Sequence, residues 1–435
     1  MLRLKEKKNF LKILFWNVAG LLNKDKEFFK YLREFEVICL TETWVGGNSW
    51  DKLRKNLPAE YIWRCLPAKK LKNKGRAKGG IVTGVRKEID EKESREDEEF
   101  NLTENKVTLN GKKFRIFTVY MQDDTAEKMW EKLNDLVKET EEEHLIIGGD
   151  MNARTGEVGD LFKPEVNMEE RKRNSKDKII NRLGRKMLVE VENRGWHICN
   201  GNVFDDIEGN FTYIGERGSS TIDYVLVNTD ALENLSGFKV AERCESDHLP
   251  LIVEINTPNL YKKESKKREK KEIQEWSEEA ILKYQSKIDN AIINVGNINN
   301  SLDKLVLILK EAIQKKEIII KKVEIGERKW WDRECQNRKT KLNQALRRAR
   351  KDHNCLKEFK MLRFEYKKFC KEKKNKYLDK IDQEIRNIRT ENEVWQFINK
   401  ERGRRKIFAE NEITQAEWKA HFIEVLQGID SEENT

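Results

Sequence analysis

No apolar run in the 435-residue sequence approaches the roughly 20 residues a membrane-spanning helix needs, and the N-terminal run LKILFW breaks at Asn17. A soluble protein with no membrane partner is therefore expected. Paired cysteines are also lacking. The seven present are scattered without a CxxC spacing, which speaks against a disulfide framework or a zinc site and reads as reduced thiols in an intracellular protein. No segment repeats at a fixed period. Apolar residues are scarce, at 37% against 38% charged, so only part of the chain can bury a core.

Charge locates the division. Residues 1–258 hold 44 Lys and Arg against 46 Asp and Glu, whereas residues 259–435 hold 43 against 31. At Pro258 the last strand-like run ends and the composition changes to YKKESKKREKKE. Two domains are expected, 1–258 and 259–435. A basic surplus favours a polyanion, because each neutralised phosphate releases counterions; a solvated charged helix or a coiled coil explains the same composition.

In the first region, runs rich in Val, Ile, Phe and Tyr predict strands at LKILFW, EVICLT, GGIVTGV, KFRIFTVY, HLIIGG, GWHICN, TIDYVLV and LIVEI. Helical periodicity falls between them at 25–34, 125–140 and 178–194, the alternation of an α/β or α+β domain. The charged run EIDEKESREDEEF, residues 88–100, is expected to be an exposed connection. Beyond the boundary, apolar residues three or four apart from Lys341 to Ile385 predict one long amphipathic helix or a helical hairpin.

Polar residues flank several of these runs directly, after them in FWN, LTETW and GGDMN and before LIVEI in SDHLP, and sheet edges are where sites gather. Asp223 lies inside the apolar run TIDYVLV, where an unpaired carboxylate is costly; His248 is its candidate partner, an arrangement that would fix the imidazole's tautomer. Glu42, with Asp150 and Asn152, offers hard oxygen ligands suited to Mg²⁺ or Mn²⁺. Ser246, Asp247 and His248 are not a hydrolase triad, because neighbours on a strand point to opposite faces.

The ordered series Asn17, Glu42 in LTETW, Tyr120 in FTVY, Asp150 and Asn152 in GDMN, Thr212 in FTY, Asp223 in TIDY, and SDH resembles the endonuclease/exonuclease/phosphatase superfamily. Within it, residues 10–256 look like the apurinic-like endonuclease of non-LTR retrotransposons. Asn17 is followed by Val-Ala-Gly, without the extra acid of some DNA-repair relatives, which favours a nickase of the retrotransposon type. The resemblance implies a four-layer αββα sandwich of two packed mixed sheets, here followed by a mostly helical basic extension.

It also implies roles. Glu42 would bind the divalent metal with help from Asn17 and Asp247, and Asp150 would orient or deprotonate the attacking water beside Asn152. His248, oriented by Asp223, would contact the scissile phosphate, while Asp247 and Tyr120 would stabilise charge or position the leaving group. Thr212, Arg217 and Ser246 would meet DNA, the first two on a hairpin reaching its groove. KWWDREC and the basic helix resemble the segment that precedes reverse transcriptase in such elements, so the sequence reads as a product truncated before the polymerase. The expected partners are DNA and, through the basic helices, RNA, with nuclear residence following from the substrate. Trp330 and Trp331 are read as packing anchors. Two other functions fit the same core: a phosphatase acting on a phosphoester other than DNA, and a host-adopted scaffold that binds DNA or chromatin without catalysis.

Overall fold

The structure, a computed structural model, describes residues 10–70, 77–109, 111–138, 143–159, 172–216, 218–256, 270–275, 277–289, 307, 309–319 and 325–401. Two compact units result, Met1–Glu372 and Lys373–Thr435.

In chain order the first region contains β1 (Phe10–Asn17), α1 (Lys26–Leu32), β2 (Val37–Thr41), α2 (Gly47–Arg54), β3 (Tyr61–Leu66), β4 (Ile81–Arg86), β5 (Asp90–Asp97), β6 (Leu102–Leu109), β7 (Lys112–Tyr120) and α3 (Ala126–Lys138). There follow β8 (His144–Asp150), α4 (Arg182–Asn193), β9 (His197–Ile198), β10 (Tyr213–Ile214), β11 (Ser219–Ser220), β12 (Asp223–Val227), α5 (Thr229–Glu233), β13 (Leu235–Val240) and β14 (Leu251–Asn256). All eight apolar runs lie on strands, and the three periodic segments are α1, α3 and α4.

The strands form two mixed six-stranded sheets, ordered β13-β14-β1-β2-β4-β3 and β5-β6-β7-β8-β12-β9. Their facing sides share one core, with Ile13 and Phe15 of β1, Cys39 of β2, Ile116 of β7, Ile146 of β8 and Val225 of β12 buried together. The outer side of the first sheet packs on α1 through Phe28, Phe29 and Leu32, and that of the second on α3 and α4 through Met129, Trp130, Leu133 and Met187. Each fully buried side chain of this size contributes about 1.5–3 kcal/mol. Asp25 caps α1 by accepting from the Phe28 N–H at 3.0 Å, and Asn181 caps α4 by accepting from the Gly184 N–H at 2.7 Å. The sheets approach closely at Gly148, where an added Cβ would lie 2.6 Å from the Phe15 ring. The expected αββα sandwich is observed.

The strands β3, β6 and β13 were not expected, and the charged segment 88–100 differs from expectation outright. Residues 90–97 are not a connection but the edge strand β5, paired antiparallel with β6. An edge strand needs backbone pairing on one side only, and the charges of Arg95, Glu96 and Asp97 discourage a further strand from adding there.

The extension contains β15 (Lys270–Gln274), α6 (Glu278–Asp289), β16 (Lys315–Ile319), α7 (Arg333–Lys351), α8 (Leu356–Asn387) and α9 (Glu391–Glu401). It is mostly helical, though β15 and β16 pair as a small antiparallel sheet. The long amphipathic segment is two helices: Asp352 is extended (φ −127°, ψ 116°), and a single 3₁₀ turn, His353–Cys355, leads into α8. Leu342, Ala345, Leu346 and Ala349 of α7 and Phe359 of α8 are buried in the cluster between the sheets. Lys339 on α7 is buried, with its ammonium 2.6 Å from Asp25, 3.0 Å from Glu245 and 3.2 Å from Glu27. No helix among the described residues is long and apolar enough to cross a membrane. All seven cysteines are free thiols.

Candidate active site at one sheet edge

Strand direction decides where the polar residues go. β1 runs parallel to β2, and β7 to β8, so their C-terminal ends bring Asn17, Glu42, Tyr120 and Asp150 to one edge. β12 and β14 run antiparallel to β8 and β1, so their N-terminal ends deliver Asp223 and Ser246–His248 to the same edge. In register, Asp150 faces Tyr120 on one side and Asp223 on the other. Two carboxylates placed directly opposite each other repel, an arrangement a purely structural sheet avoids.

Three contacts join one sheet to the other at this edge. Asn17 Nδ2 donates to Asp150 Oδ2 at 2.9 Å. The Tyr120 hydroxyl donates to the Glu42 carboxylate. His248 Nδ1 lies 2.9 and 3.0 Å from the two oxygens of Asp223, while its Nε2 is 3.9 Å from Asp150 Oδ2. The Asn152 backbone N–H donates to Asp150 Oδ1 at 3.0 Å, and the Asn152 side chain is tied to the Met121 carbonyl at 2.8 Å. Trp16 Nε1 donates to the His248 carbonyl at 2.8 Å, fixing the imidazole from behind.

Burial and charge tune these groups. Burial, then repulsion from Asp223, pushes the Asp150 carboxyl up to about 7, against the opposing pull of His248 and the donors Asn17 and Asn152. Burial alone would discharge His248, but Asp223 first, and Asp150 and Glu42 after it, outweigh that and raise it to about 9. At neutral pH the imidazolium therefore donates its Nδ1–H to Asp223 and presents Nε2–H to the edge.

The backbone is unusual at the same place. Ala19, Glu42, Trp44 and Asn152, just past β1, β2 and β8, adopt φ of 45°, 49°, 57° and 48°. Non-glycine residues there cost about 1–3 kcal/mol each and persist only where the surroundings enforce them. Here the Gly20 N–H donates to the Glu42 carbonyl at 2.8 Å and the Trp44 N–H to the Gly79 carbonyl at 3.1 Å. Gly149, one residue before Asp150, has φ 139° and could carry no Cβ, which would fall 2.1 Å from the Val119 carbonyl oxygen. An open cleft of about 590 Å³ lies against Glu42, Trp44, Lys78, Tyr120, Asn152 and Asn181.

Asp150, Asp223 and His248 hold ligand atoms within 4.8 Å of one another. A buried pair of acids in which repulsion keeps one carboxyl easily protonated is relieved by a divalent cation, so Asp150, Asp223 and the nearby Glu42 fit such an ion chemically, while the charged His248 ring has no lone pair to offer it.

Other expected residues are placed differently. Thr212 is fully buried and its hydroxyl accepts from the N–H groups of Ile222 and Asp223 at 3.0 Å each, so as placed it secures the start of β12 and offers no atom to DNA. The Ser246 hydroxyl is likewise buried, donating to the Asn17 carbonyl at 2.7 Å. Arg217 lies outside the described residues; β10 and β11, which pair antiparallel, belong to the expected hairpin. Asp247 lies at the edge, but its carboxylate is paired with Arg363 of α8, and Lys367 stands 3.5 Å away. Sequence reasoning missed Arg363, Lys367 and Asn181, and gave Trp44 no role within LTETW. Only Asn181 carried a local signal, as an N-cap before an apolar-periodic run.

Residues 14–248 match the model of the Endonuclease/Exonuclease/phosphatase family. No curated protein matches. Among solved structures, the chain is similar to the endonuclease domain of TRAS1, a telomere-specific non-LTR retrotransposon, at 17% identity over 57% of this chain and 99% of that one, with a TM-score of 0.41. It is also similar to the AP endonuclease LMAP from Leishmania major (13% identity, 58% and 90% covered, TM-score 0.43) and to an AP endonuclease from Archaeoglobus fulgidus (15%, 57% and 100%, 0.40). The family match takes in more than half of the chain and contains the whole edge from Asn17 to His248; this protein belongs to the endonuclease/exonuclease/phosphatase family.

Proposed function

We propose that this protein is a divalent-metal-dependent DNA endonuclease, nicking a target strand by hydrolysis of a phosphodiester, and that it is of retrotransposon origin. The observation that carries the reading is the convergence at one edge of a poised carboxyl, Asp150, and a carboxylate-held imidazolium, His248 paired with Asp223. Origin rests on the resemblance of residues 10–256, and nuclear residence follows from the substrate.

Asp150, held by Asn17 and the Asn152 N–H, accepts a proton from the attacking water; its raised affinity for protons suits a base working near neutral pH. His248 presents Nε2–H to a non-bridging phosphate oxygen, and Asp223 keeps the ring charged and oriented. Tyr120 holds the Glu42 carboxylate in place. Glu42, with Asn17 and the adjacent acids, would hold Mg²⁺ or Mn²⁺, which when bound supplies charge stabilisation to the phosphorane-like transition state.

The test is nicking of supercoiled plasmid by the full chain with Mg²⁺, with chelator, and by the Glu42→Ala and His248→Ala variants. Nicking by the wild type that falls at least about 100-fold in each of the other conditions supports the assignment. Equal cutting by the variants refutes it. Release of phosphate from small phosphoesters without nicking would make the protein a phosphatase, and inactivity on both would make it a binding protein.

A further inference from the structure

The family match ends at residue 248, yet the chain returns to the catalytic edge more than a hundred residues later. Arg363 of α8 is buried, donates from Nη1 to the Ile214 carbonyl at 2.7 Å, and pairs with the Asp247 carboxylate. It thereby ties the helix both to β10 and to the residue beside His248. Lys339 docks α7 on Asp25 and Glu245 from the other side. Between these helices and the loop after β1 lies a cleft of about 400 Å³, which reaches the edge at Trp44, Ser246 and Asp247.

Charge in this cleft is unbalanced. Five cations line it, Lys24, Arg328, Lys339, Arg363 and Lys367, against three carboxylates, Asp25, Glu245 and Asp247. Lys339 answers two of the acids, and Arg363 and Lys367 share the third. Among the described residues, the remaining two cations hydrogen-bond to backbone carbonyls: Lys24 donates to Glu245 O at 2.6 Å, and Arg328 to Asn23 O. Aromatic faces accompany the charge. The Arg328 guanidinium lies over the Trp330 and Trp331 rings, at 5.2 and 5.7 Å from their centroids, and Trp331 meets Tyr366 edge-on. Surplus cations beside flat aromatic rings suit a chain of alternating phosphates and bases, and every base has a face on which to stack. An acidic peptide would use the charge but leave the rings without a role.

We propose that this cleft seats the nucleic-acid strand on one side of the scissile phosphate, so that the substrate surface continues from the family-matched core onto residues 328–367. The proposal rests on the nuclease reading for the identity of the polyanion, and its test is a binding measurement that needs no cleavage.

The 435-residue chain, without metal, is titrated into a fluorescent DNA duplex across a salt series and followed by anisotropy. The double variant Arg328→Gln/Lys367→Gln, whose side chains stand at the rim, is expected to bind about tenfold more weakly at 0.1 M salt. Its plot of log affinity against log salt should be shallower by about 1 to 2, close to one for each phosphate no longer neutralised. The charge-keeping double variant Arg328→Lys/Lys367→Arg should retain the wild-type slope. An unchanged slope in the Gln variant overturns the proposal, as does a weakening the charge-keeping variant shares. Competition by polyglutamate as strong as that by DNA would make the cleft a general anion seat and overturns the nucleic-acid assignment. Wild-type nicking with an unchanged slope in the Gln variant sinks the cleft and leaves the nuclease reading intact; the expected slopes without any nicking do the reverse.

Discussion

Replacing Asp223 by Asn keeps the shape of the side chain facing His248 and removes its charge. His248 is raised from its ordinary 6.5 to about 9, with Asp223 the foremost of the three acids that raise it. That displacement corresponds to about 3 kcal/mol of preference for the imidazolium. In the variant, burial acts with less opposition, and the proton affinity is expected to fall by roughly two pH units or more, toward or below the ordinary histidine value. The imidazolium of the folded wild type is favoured relative to the unfolded chain, so its contribution to stability is complete below about 6.5 and lost as pH rises through about 9. The wild type should lose up to about 3 kcal/mol across that window, and Asp223→Asn should show little of this slope. Two measurements on metal-free protein check this: proton NMR titration of the His248 ring, assigned among five histidines by His248→Ala, and urea unfolding at pH 6 and 9.5. A wild-type midpoint near 6.5, or the same midpoint in both proteins, refutes the electrostatic account of the site. With the account correct, nicking at pH 8 should fall about 100-fold or more in the variant.

Two further substitutions address the frame that holds the edge. Lys339→Met strands Asp25 in a buried site, while Glu245 keeps Arg243, and should cost about 3–5 kcal/mol in urea unfolding at pH 7. Since Lys339 holds the Asp25 carboxyl below its usual range despite burial, Asp25 should protonate more readily in the variant, and the gap should narrow as pH falls toward 4; a constant gap contradicts the pairing. Gly148→Ala drives a methyl into the Phe15 ring and should destabilise by about 1–3 kcal/mol, with loss of nicking because β8 carries Asp150 two residues on. A thermal melt and a nicking assay check it, and unaltered values for both exclude the close approach.

Most of the core was legible because its strands are buried on both faces and read as unbroken apolar runs. β6 escaped notice for a specific reason: LTENK looks like a loop, yet Glu104 is buried against Arg115 on the neighbouring β7, so polar letters conceal a central strand. β5 was hidden by its charges, which an edge tolerates. The site residues were legible as a series because each lies at or beside a strand end, and those ends converge on one edge because the strands that begin there run antiparallel to those that finish there. Thr212 shows the limit of this, since position in a motif does not say which way a hydroxyl points. Arg363 and Lys367 could not be singled out among the many cations of α8; only the docked helix distinguishes them from their neighbours.

The burial of Leu342, Ala345, Leu346 and Ala349 in the cluster between the sheets has a practical consequence for anyone handling this protein. A fragment cut where the family match ends, or at the compositional boundary near residue 258, would expose the apolar surface that α7 covers and leave Asp25 and Glu245 without their ammonium partner. The longer piece contains every strand of the sandwich and the shorter one lacks β14, yet both would be expected to aggregate during expression, whereas one ending near Glu372 keeps the first compact unit whole.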